Sequence, residues 1–388
     1  MHQYLINIKI STENVGISII KSDGENFNPI HKTLNAYNNS QDIDQILKNL
    51  LIFIKKNKSI KKSPLKWSII FTNNLLNICV KNESYELNFD QKSIIDSTAQ
   101  EHIKNNVLQL KDLSFFKIIP TSYIVDTGQN IKEYTSFPLG KTGVKITVNY
   151  KRYCVDKNLD LYNKIIELLH KNQINVFQKF IDLECLIKTQ NIENDAMIID
   201  SSIDAKMNVI EYENSYLAEA NCEINPWEAI YDTLIHHCGN NYLNKKNINA
   251  YIKANIVNYH LMKNTNLSSD NLKTYKIISK AFSLIAKKII DIKRIDKNKQ
   301  IILRGNCSKI IKNIFEQAKF NNLTLFNDEE AQRHNIDDID LGVITLVNDS
   351  QQLDLAQTQN VYEKEQTKNY NFFSKIFAFF NKNTNHKL

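Results

Sequence analysis

Few residues in this sequence are grouped in a way that could carry chemistry. His236, His237 and Cys238 are adjacent, but adjacent side chains rarely converge on one ion, and no second ligand pair lies at a useful spacing. The six cysteines are dispersed without a CxxC pair, which is typical of reduced thiols. Only eight residues are glycine, which disfavours a phosphate loop lined by glycines. The sequence therefore predicts neither a metal site nor a disulfide framework.

The composition is that of a globular protein. Of 388 residues, 42% are hydrophobic and 23% are charged, and the length allows roughly two to four domains. The net charge of +7 is scattered, and the lysine run at 55–62 has no interleaved aromatic residues, so we expect no nucleic-acid partner. We expect no signal peptide at the start of the sequence, and no apolar run reaches the roughly 18 residues of a membrane span.

Hydrophobic periodicity predicts an α/β chain in which one plan occurs twice. Two β-rich runs joined by residues 11–14 predict an N-terminal hairpin, which is followed by helices and a βα unit. Between the halves, residues 78–80 predict a strand and residues near 91–108 a polar helix. A second hairpin begins at residues 196–200 and returns through 207–212. Helices near 226–238, near 246–260 and over 270–294 and a βα unit are predicted to follow it. Residues 341–347 fit either a strand or a buried helix. Two halves of similar plan predict a duplicated fold with a cleft between them.

An aromatic block at residues 370–383 follows a polar stretch at 348–369. Its apolar residues recur at helical spacing and form one stripe, and a helix over 371–382 would be about 18 Å long, too short to cross a bilayer. We expect an interfacial membrane helix whose lysines meet anionic headgroups, the alternative being a helix that docks on the protein's own core. The expected membrane contacts are Phe372, Phe373, Lys375, Ile376, Phe377, Phe379, Phe380 and Lys382.

The most specific motif lies between residues 119 and 144. It comprises Ile-Pro, an aromatic residue, a hydrophobic-Asp pair, Ile-Lys, and Pro-Leu-Gly-x-x-Gly-Val, as Ile119, Pro120, Tyr123, Val125, Asp126, Ile131, Lys132, Pro138, Leu139, Gly140, Gly143 and Val144. This series resembles subdomain 1C of the bacterial cell-division protein FtsA, a member of the actin and heat-shock-chaperone ATPase superfamily. Residues 134–137 are an addition to the family pattern, and the alternative interpretation is a generic glycine-rich loop.

The resemblance covers nearly the whole chain in order, although weakly in identity. It implies an α/β, actin-like fold, which is a duplicated ribonuclease H-like fold, with an FtsA-type 1C subdomain and a C-terminal amphipathic helix. The implied divisions are subdomain 1A at 1–82 and 159–195, 1C at 83–158, 2A at 196–220 and 276–335, 2B at 221–275, a return to 1A at 336–347, a flexible linker at 348–369 and the membrane helix at 370–383.

FtsA proteins tether the tubulin-like FtsZ, so the resemblance implies a cell-division adaptor at the cytoplasmic face of the cell membrane. The implied partners are the C-terminal peptide of FtsZ, an anionic membrane surface, further copies in an actin-like protofilament, and other division proteins through 1C. For the acidic FtsZ peptide we expect contacts from Lys276 and Lys280, one turn apart on a predicted helix. The alternative is that these lysines simply face solvent.

The resemblance also places a nucleotide pocket at five residues. Glycines let backbone N–H groups approach a phosphate, but residues 201–206 replace the glycines of the second phosphate hairpin, and Lys9 replaces the family's carboxylate at the first. The adenosine segment, which reads Thr-Gly-Gly in the family, is here Arg304, Gly305 and Asn306. We therefore expect a degenerate pocket without catalytic residues and without ATP hydrolysis, in which ATP binding itself stays open. The corresponding residues are Ser11, Thr12, Asp200, Ser202 and Gly305.

Three alternatives remain open at this point. Lys9, Lys206 and Arg304 could form a phosphate site by charge alone. The chain could be an actin-like ATPase that still hydrolyses ATP, or a scaffold of the related pilus-assembly type.

Overall fold

The computed structural model describes most of the chain between residues 3 and 349. Within that range the residues left out are 24–25, 109–114, 191, 193–194, 202–206, 214–215, 225–275, most positions of 277–298, 306–307 and 328. The helix predicted over 270–294 has helical backbone at each described position from 276 to 291. The helices predicted near 226–238 and 246–260, the polar stretch from 350 onward and the aromatic block lie outside the described residues.

Strands supply the framework that positions the candidate site. The described strands are β1 (Gln3–Ile10), β2 (Asn14–Ser22), β3 (Phe27–Ala36), β4 (Leu65–Phe71), β5 (Ile78–Ile94), β6 (Phe115–Asp126), β7 (Ile131–Tyr134), β8 (Thr142–Val155), β9 (Val176–Ile181), β10 (Ala196–Asp200), β11 (Met207–Glu213), β12 (Tyr216–Ile224), β13 (Gln300–Arg304) and β14 (Leu323–Leu325).

The helices alternate with these strands along the chain. The described helices are α1 (Ser40–Lys56), α2 (Lys58–Lys61), α3 (Asn73–Leu76), α4 (Ser97–Leu108), α5 (Leu159–Lys171), α6 (Asp182–Lys188), α7 (Ser308–Gln317), α8 (Glu329–Arg333) and α9 (Asp338–Asp349). Residues 341–347, for which periodicity allowed either a strand or a buried helix, form part of α9. Asp337 begins that helix, because its carboxylate accepts the backbone N–H of Asp340 at 2.8 Å.

Two sheets repeat one plan. The first has the order β3-β2-β1-β4-β9 and the second β12-β11-β10-β13-β14. In each sheet, the first three strands form an antiparallel meander. Two later strands extend the sheet on the other side of the first strand and run parallel to it. The predicted duplication of an α/β plan is thereby confirmed. The prediction missed β3, whose side chains alternate between half-buried and exposed and include few large apolar residues.

The first sheet is buried on both faces, and residues 4–8 of β1 are accordingly buried without a break. Ile6 and Ile8 pack with Ile43 and Leu47 of α1 on one face. Leu5, which points to the other face, packs in a second cluster with residues of α6 and α9. Helices α6 and α9 also touch through their backbones at Gly342, which has no side chain to hold them apart. A Cβ at this position would lie 2.0 Å from the carbonyl oxygen of Cys185.

The third sheet has the order β5-β8-β6-β7 and is antiparallel throughout. Helix α4 covers one face, where Ile103 and Val107 pack against Ile146 and Val148. β5 is much longer than the predicted run at 78–80, because its residues alternate in the half-buried pattern of a paired ribbon. The polar helix predicted to begin near residue 91 begins instead at Ser97, after this strand ends.

Candidate functional site

The carboxyl ends of parallel strands from both sheets lie close together, and we call the region where they meet the cleft. Asp200 ends β10 and lies beside Arg304, which ends the neighbouring parallel strand β13. Asp182 follows directly after β9 of the first sheet, and its carboxyl group interacts electrostatically with both Asp200 and Arg304. Since β9 belongs to one sheet and β10 and β13 to the other, the two halves face each other here. Ligands of α/β proteins characteristically bind at such strand ends.

Lys9 lies on the first-sheet side of the cleft and contacts two carboxylates. Its ammonium is paired with Asp337 and lies 2.9 Å from Asp340. Asp340 is 1% exposed and also accepts the amide of Asn7 at 2.6 Å and the hydroxyl of Ser18 at 2.7 Å. A buried carboxylate with a counter-ion and two hydrogen bonds meets the conditions under which a charge is tolerated in a protein interior.

Arg304 lies on the second-sheet side and is held in the same way. Its guanidinium donates to Asp200 at 3.1 Å and to Asp338 at 3.2 Å, with the carboxylates bound through different nitrogens. The side chain also lies over the ring of Phe326, with 5.2 Å between Cζ and the ring centroid. Both ends of the guanidinium fork are therefore occupied by side chains of the protein itself.

The first turn of α9 joins these two networks. We call residues 337–340 the acidic turn. Asp337 and Asp340 bind Lys9 of the first sheet, while Asp338 binds Arg304 of the second. Lys32 of β3 adds a weaker contact to Asp337 at 3.5 Å. The acidic turn thus links the two halves across the cleft by ion pairs.

The pKa shifts in the cleft follow from this arrangement. Burial alone would lower the pKa of Lys9, but Asp340 and Asp337 raise it, so the ammonium stays charged. Burial raises the pKa of Asp340 against the opposing effect of Lys9. At Asp337 burial is the largest single effect, but Lys9, the backbone N–H of Asp340 and Lys32 together outweigh it and lower the pKa. Each of these shifts is therefore a balance between burial, which disfavours a charge, and the opposite charge that faces it.

Asp182 is a strongly perturbed acid of the cleft. Loss of hydration raises its pKa to about 7, although the backbone N–H groups of Asn73 and Leu183 each donate to its Oδ1 at 2.9 Å. Asp200 adds to the rise, and Arg304 opposes it. A carboxyl group with such a pKa can gain or lose a proton near neutral pH.

Gly305, which the resemblance assigned to the adenosine segment, has a structural reason to be glycine. It adopts φ +88°, and a Cβ there would lie 2.1 Å from the carbonyl oxygen of Ser201. The backbone N–H of Ser201 also donates to the carbonyl of Arg304 at 2.9 Å. Close packing of β10 against β13 thus requires this glycine whether or not a nucleotide binds.

The remaining predicted residues are separated. Ser11 closes the first hairpin, since its hydroxyl bonds the backbone of Asn14 at 3.1 Å, and Thr12 is exposed. Ser202 and Lys206 lie outside the described residues, as do all eight expected membrane contacts. Lys276 and Lys280 are exposed on helical backbone one turn apart. Among the described residues, no group of metal-binding side chains and no helix long and apolar enough to span a membrane occurs.

Sequence reasoning identified Asp200 but missed Asp182 and the acidic turn. Asp182 could have been noticed as the residue that ends a β-type run and starts a helix. The acidic turn had the signature of a helix start, with three aspartates just before an apolar helix. What could not be read from the sequence was that this turn lies between Lys9 and Arg304, which are far from each other in the chain.

Neither a protein-family model nor a curated protein matches this sequence. Among solved structures, it is similar to a PilM–PilN type IV pilus biogenesis complex at 7% identity and a TM-score of 0.44, covering 84% of this chain and 89% of that one. The ethanolamine utilization protein EutJ from Carboxydothermus hydrogenoformans is similar at 9% identity and a TM-score of 0.39, with 83% and 84% covered.

A third similar structure is a Bacteroides thetaiotaomicron protein described as having an actin-like ATPase fold and unknown function. It shares 11% identity at a TM-score of 0.34, covering 86% of this chain and 96% of that one. With identities and TM-scores this low, the three similar structures do not indicate what this chain binds. The assignment of a duplicated α/β fold rests instead on the order and direction of the strands in this chain.

Proposed function

We propose that this protein is an actin-like scaffold that does not hydrolyse ATP. More specifically, we propose an FtsA-like adaptor that links FtsZ filaments to the cytoplasmic face of the membrane at the division site and helps to assemble the division machinery. The observation that carries the first part of the proposal is the ion-paired cleft. The second part is supported by the motif between residues 119 and 144 and by the aromatic stripe at 370–383.

Among the described residues, the two cations at the strand ends of the cleft already have carboxylate partners. A bound triphosphate needs unpaired cations, backbone N–H groups or a metal ion to balance its charge. Lys9 and Arg304 each already contact two carboxylates. A phosphate would have to displace these partners and would also meet the acidic turn, which repels it. The two halves are instead joined by side chains, as a scaffold that keeps one conformation requires.

One observation favours ATP hydrolysis as a competing function. Asp182 is a carboxyl group in the cleft with a pKa of about 7, which is suited to a general base. Measurement of phosphate release separates the two functions: the scaffold should release none with Mg-ATP, and its Asp182→Asn variant should behave identically. Steady release that Asp182→Asn abolishes would establish the enzyme instead.

The tethering function has its own experiment. The protein should co-sediment with anionic vesicles and should carry a fluorescent FtsZ C-terminal peptide into the pellet. Charge reversal by Lys276→Glu with Lys280→Glu should lower peptide capture without lowering vesicle binding or the melting temperature, because both residues are exposed.

A matched control for this variant is Lys61→Glu with Lys62→Glu, which makes the same charge change at exposed positions near α2. It should leave peptide capture unchanged. Equal loss in both variants would mean that only net charge matters. Unchanged capture in the Lys276 and Lys280 variant would refute this peptide site.

A further inference from the structure

Two cysteines lie directly opposite each other where the chain enters and leaves the third sheet. Cys79 is the second residue of β5, Cys154 is the last residue but one of β8, and the two are register partners in the antiparallel pairing of these strands. Helix α3 precedes β5 and α5 follows β8, so these strands connect the third sheet to the first half. We call residues 78–80 and 153–155 the stem of the third sheet.

The pairing of the stem brings the two thiols within reach of each other. Directly opposite residues of an antiparallel pair place their side chains on the same face of the sheet, with Cα atoms about 4.5–5.5 Å apart. Disulfides span Cα distances of about 4.4–6.8 Å. Pairing with β8 runs without a bulge over residues 78–88, and just outside the stem the backbone N–H of Asp156 donates to the carbonyl of Leu76 at 3.2 Å. A disulfide could therefore form here without a change of strand register.

The two cysteines differ in their access to solvent. Cys79 is exposed, whereas Cys154 is only 5% exposed, and both are thiols in the structure. Oxidation of a cysteine depends on access, so a dissolved oxidant should react first with Cys79. Cys154 then lies in position to resolve the product as a disulfide. Cys185, by contrast, is fully buried within α6, out of reach of such an oxidant.

We propose that Cys79 and Cys154 are a reversible redox pair that cross-links the stem under oxidising conditions. The thiolate of Cys79 attacks a small disulfide such as oxidised glutathione, which forms a mixed disulfide and releases one glutathione. The thiolate of Cys154 then attacks the sulfur of Cys79, and the second glutathione leaves. The protein dithiol loses two electrons and two protons, which the two glutathione thiols carry away, and excess thiol reverses both steps.

The cross-link would close a loop that holds most of the third sheet. The residues between the two cysteines include α4, β6 and β7 and most of β5 and β8. Closing a long loop reduces the conformational entropy of the unfolded chain, so the disulfide should stabilise this sheet against unfolding. Exposed disulfides are readily reduced, and the stabilisation is therefore reversible.

Oxidation of the full chain with oxidised glutathione, followed by peptide mass spectrometry without reduction, tests the pairing. We expect most molecules to yield a peptide pair linked through Cys79 and Cys154 with the loss of two hydrogens. The protein should stay monomeric on a non-reducing gel, and dithiothreitol should remove the link. A product that stops at glutathione on Cys79, a link between the Cys79 residues of two molecules, or no reaction at Cys79 would overturn the proposal.

Variants show whether the register of the strands carries the reaction. Cys79→Ser should abolish the link and leave the melting temperature of the reduced protein unchanged, because the residue is exposed. The matched control, Cys79→Ser with Lys81→Cys, keeps the number of cysteines and an exposed position on the same face. Residue 81 lies opposite Arg152, so its cysteine would be diagonal to Cys154 at about 7–8 Å. This control should form the link at least about tenfold more slowly, and an equal rate would refute the assignment to the register pair.

The melting temperature provides a second readout. The oxidised protein should melt several degrees above the reduced protein, and treatment with oxidised glutathione should leave the melting temperature of Cys79→Ser unchanged. Equal melting temperatures of the oxidised and reduced protein, or the same increase in Cys79→Ser, would contradict a stabilising link in the stem.

Discussion

Replacement of Lys9 by methionine should strongly destabilise the protein. Methionine keeps the length and apolar stem of lysine but leaves Asp340, which is 1% exposed, without its counter-ion. Breaking a buried ion pair by removing one partner typically costs about 3–5 kcal/mol. Asn7 and Ser18 continue to donate to Asp340, so we expect a loss of about 3 kcal/mol in the free energy of unfolding.

Urea denaturation followed by circular dichroism measures this loss. The control is Arg333→Gln, which removes an exposed pair to Glu329 at 3.8 Å and should change the free energy of unfolding by less than about 0.5 kcal/mol. The double variant Lys9→Met with Asp340→Asn should recover more than half of the loss, because it removes the uncompensated charge. A Lys9→Met variant as stable as the control would refute the buried ion pair.

The pH dependence of the same variant checks the cause. Burial raises the pKa of Asp340 and Lys9 opposes that rise, so without Lys9 the folded-state pKa should increase further. A carboxyl group whose folded pKa exceeds its unfolded pKa favours the folded state less as pH rises between the two values. The deficit of Lys9→Met should therefore shrink as pH falls below neutral. A constant deficit would mean that the loss comes from packing.

Three further predictions concern separate parts of the chain. Asp182, with a folded-state pKa of about 7, should make stability decline as pH rises from about 4 to about 7, and Asp182→Asn should flatten that part of the profile in urea denaturation. Gly342→Ala should lower the melting temperature severely or prevent folding, because its Cβ would meet the backbone of Cys185 at 2.0 Å, and a normal melting temperature would contradict the packing of α6 on α9. Phe373→Glu with Phe377→Glu should release the protein from anionic vesicles at an unchanged melting temperature, and continued co-sedimentation would place the membrane anchor elsewhere.

The duplicated plan was predictable because its signals are local. Hairpins at the starts of both halves show strong apolar runs bounded by polar turns, and amphipathic helices such as α1 and α5 have clear periodicity. Strand β3 was not predictable in this way, since it lies at a sheet edge and needs few apolar residues. The full length of β5 was missed because its pairing with β8, and not its composition, holds it extended.

The candidate site was only partly predictable because it depends on contacts between distant residues. The sequence indicated that Lys9 had replaced a carboxylate and that Arg304 had entered the adenosine segment. Asp337 lies 328 positions from its partner Lys9. Asp200 and Asp338 lie 104 and 34 positions from their shared partner Arg304.

Calorimetric titration with Mg-ATP, combined with phosphate-release measurements, tests the central claim most directly. Because Lys9 and Arg304 are each held by two carboxylates, the protein should show no saturable ATP binding, no shift in melting temperature and no phosphate release. Saturable binding with steady phosphate release would contradict the account, since it would show that the acidic turn gives up its cations to a nucleotide.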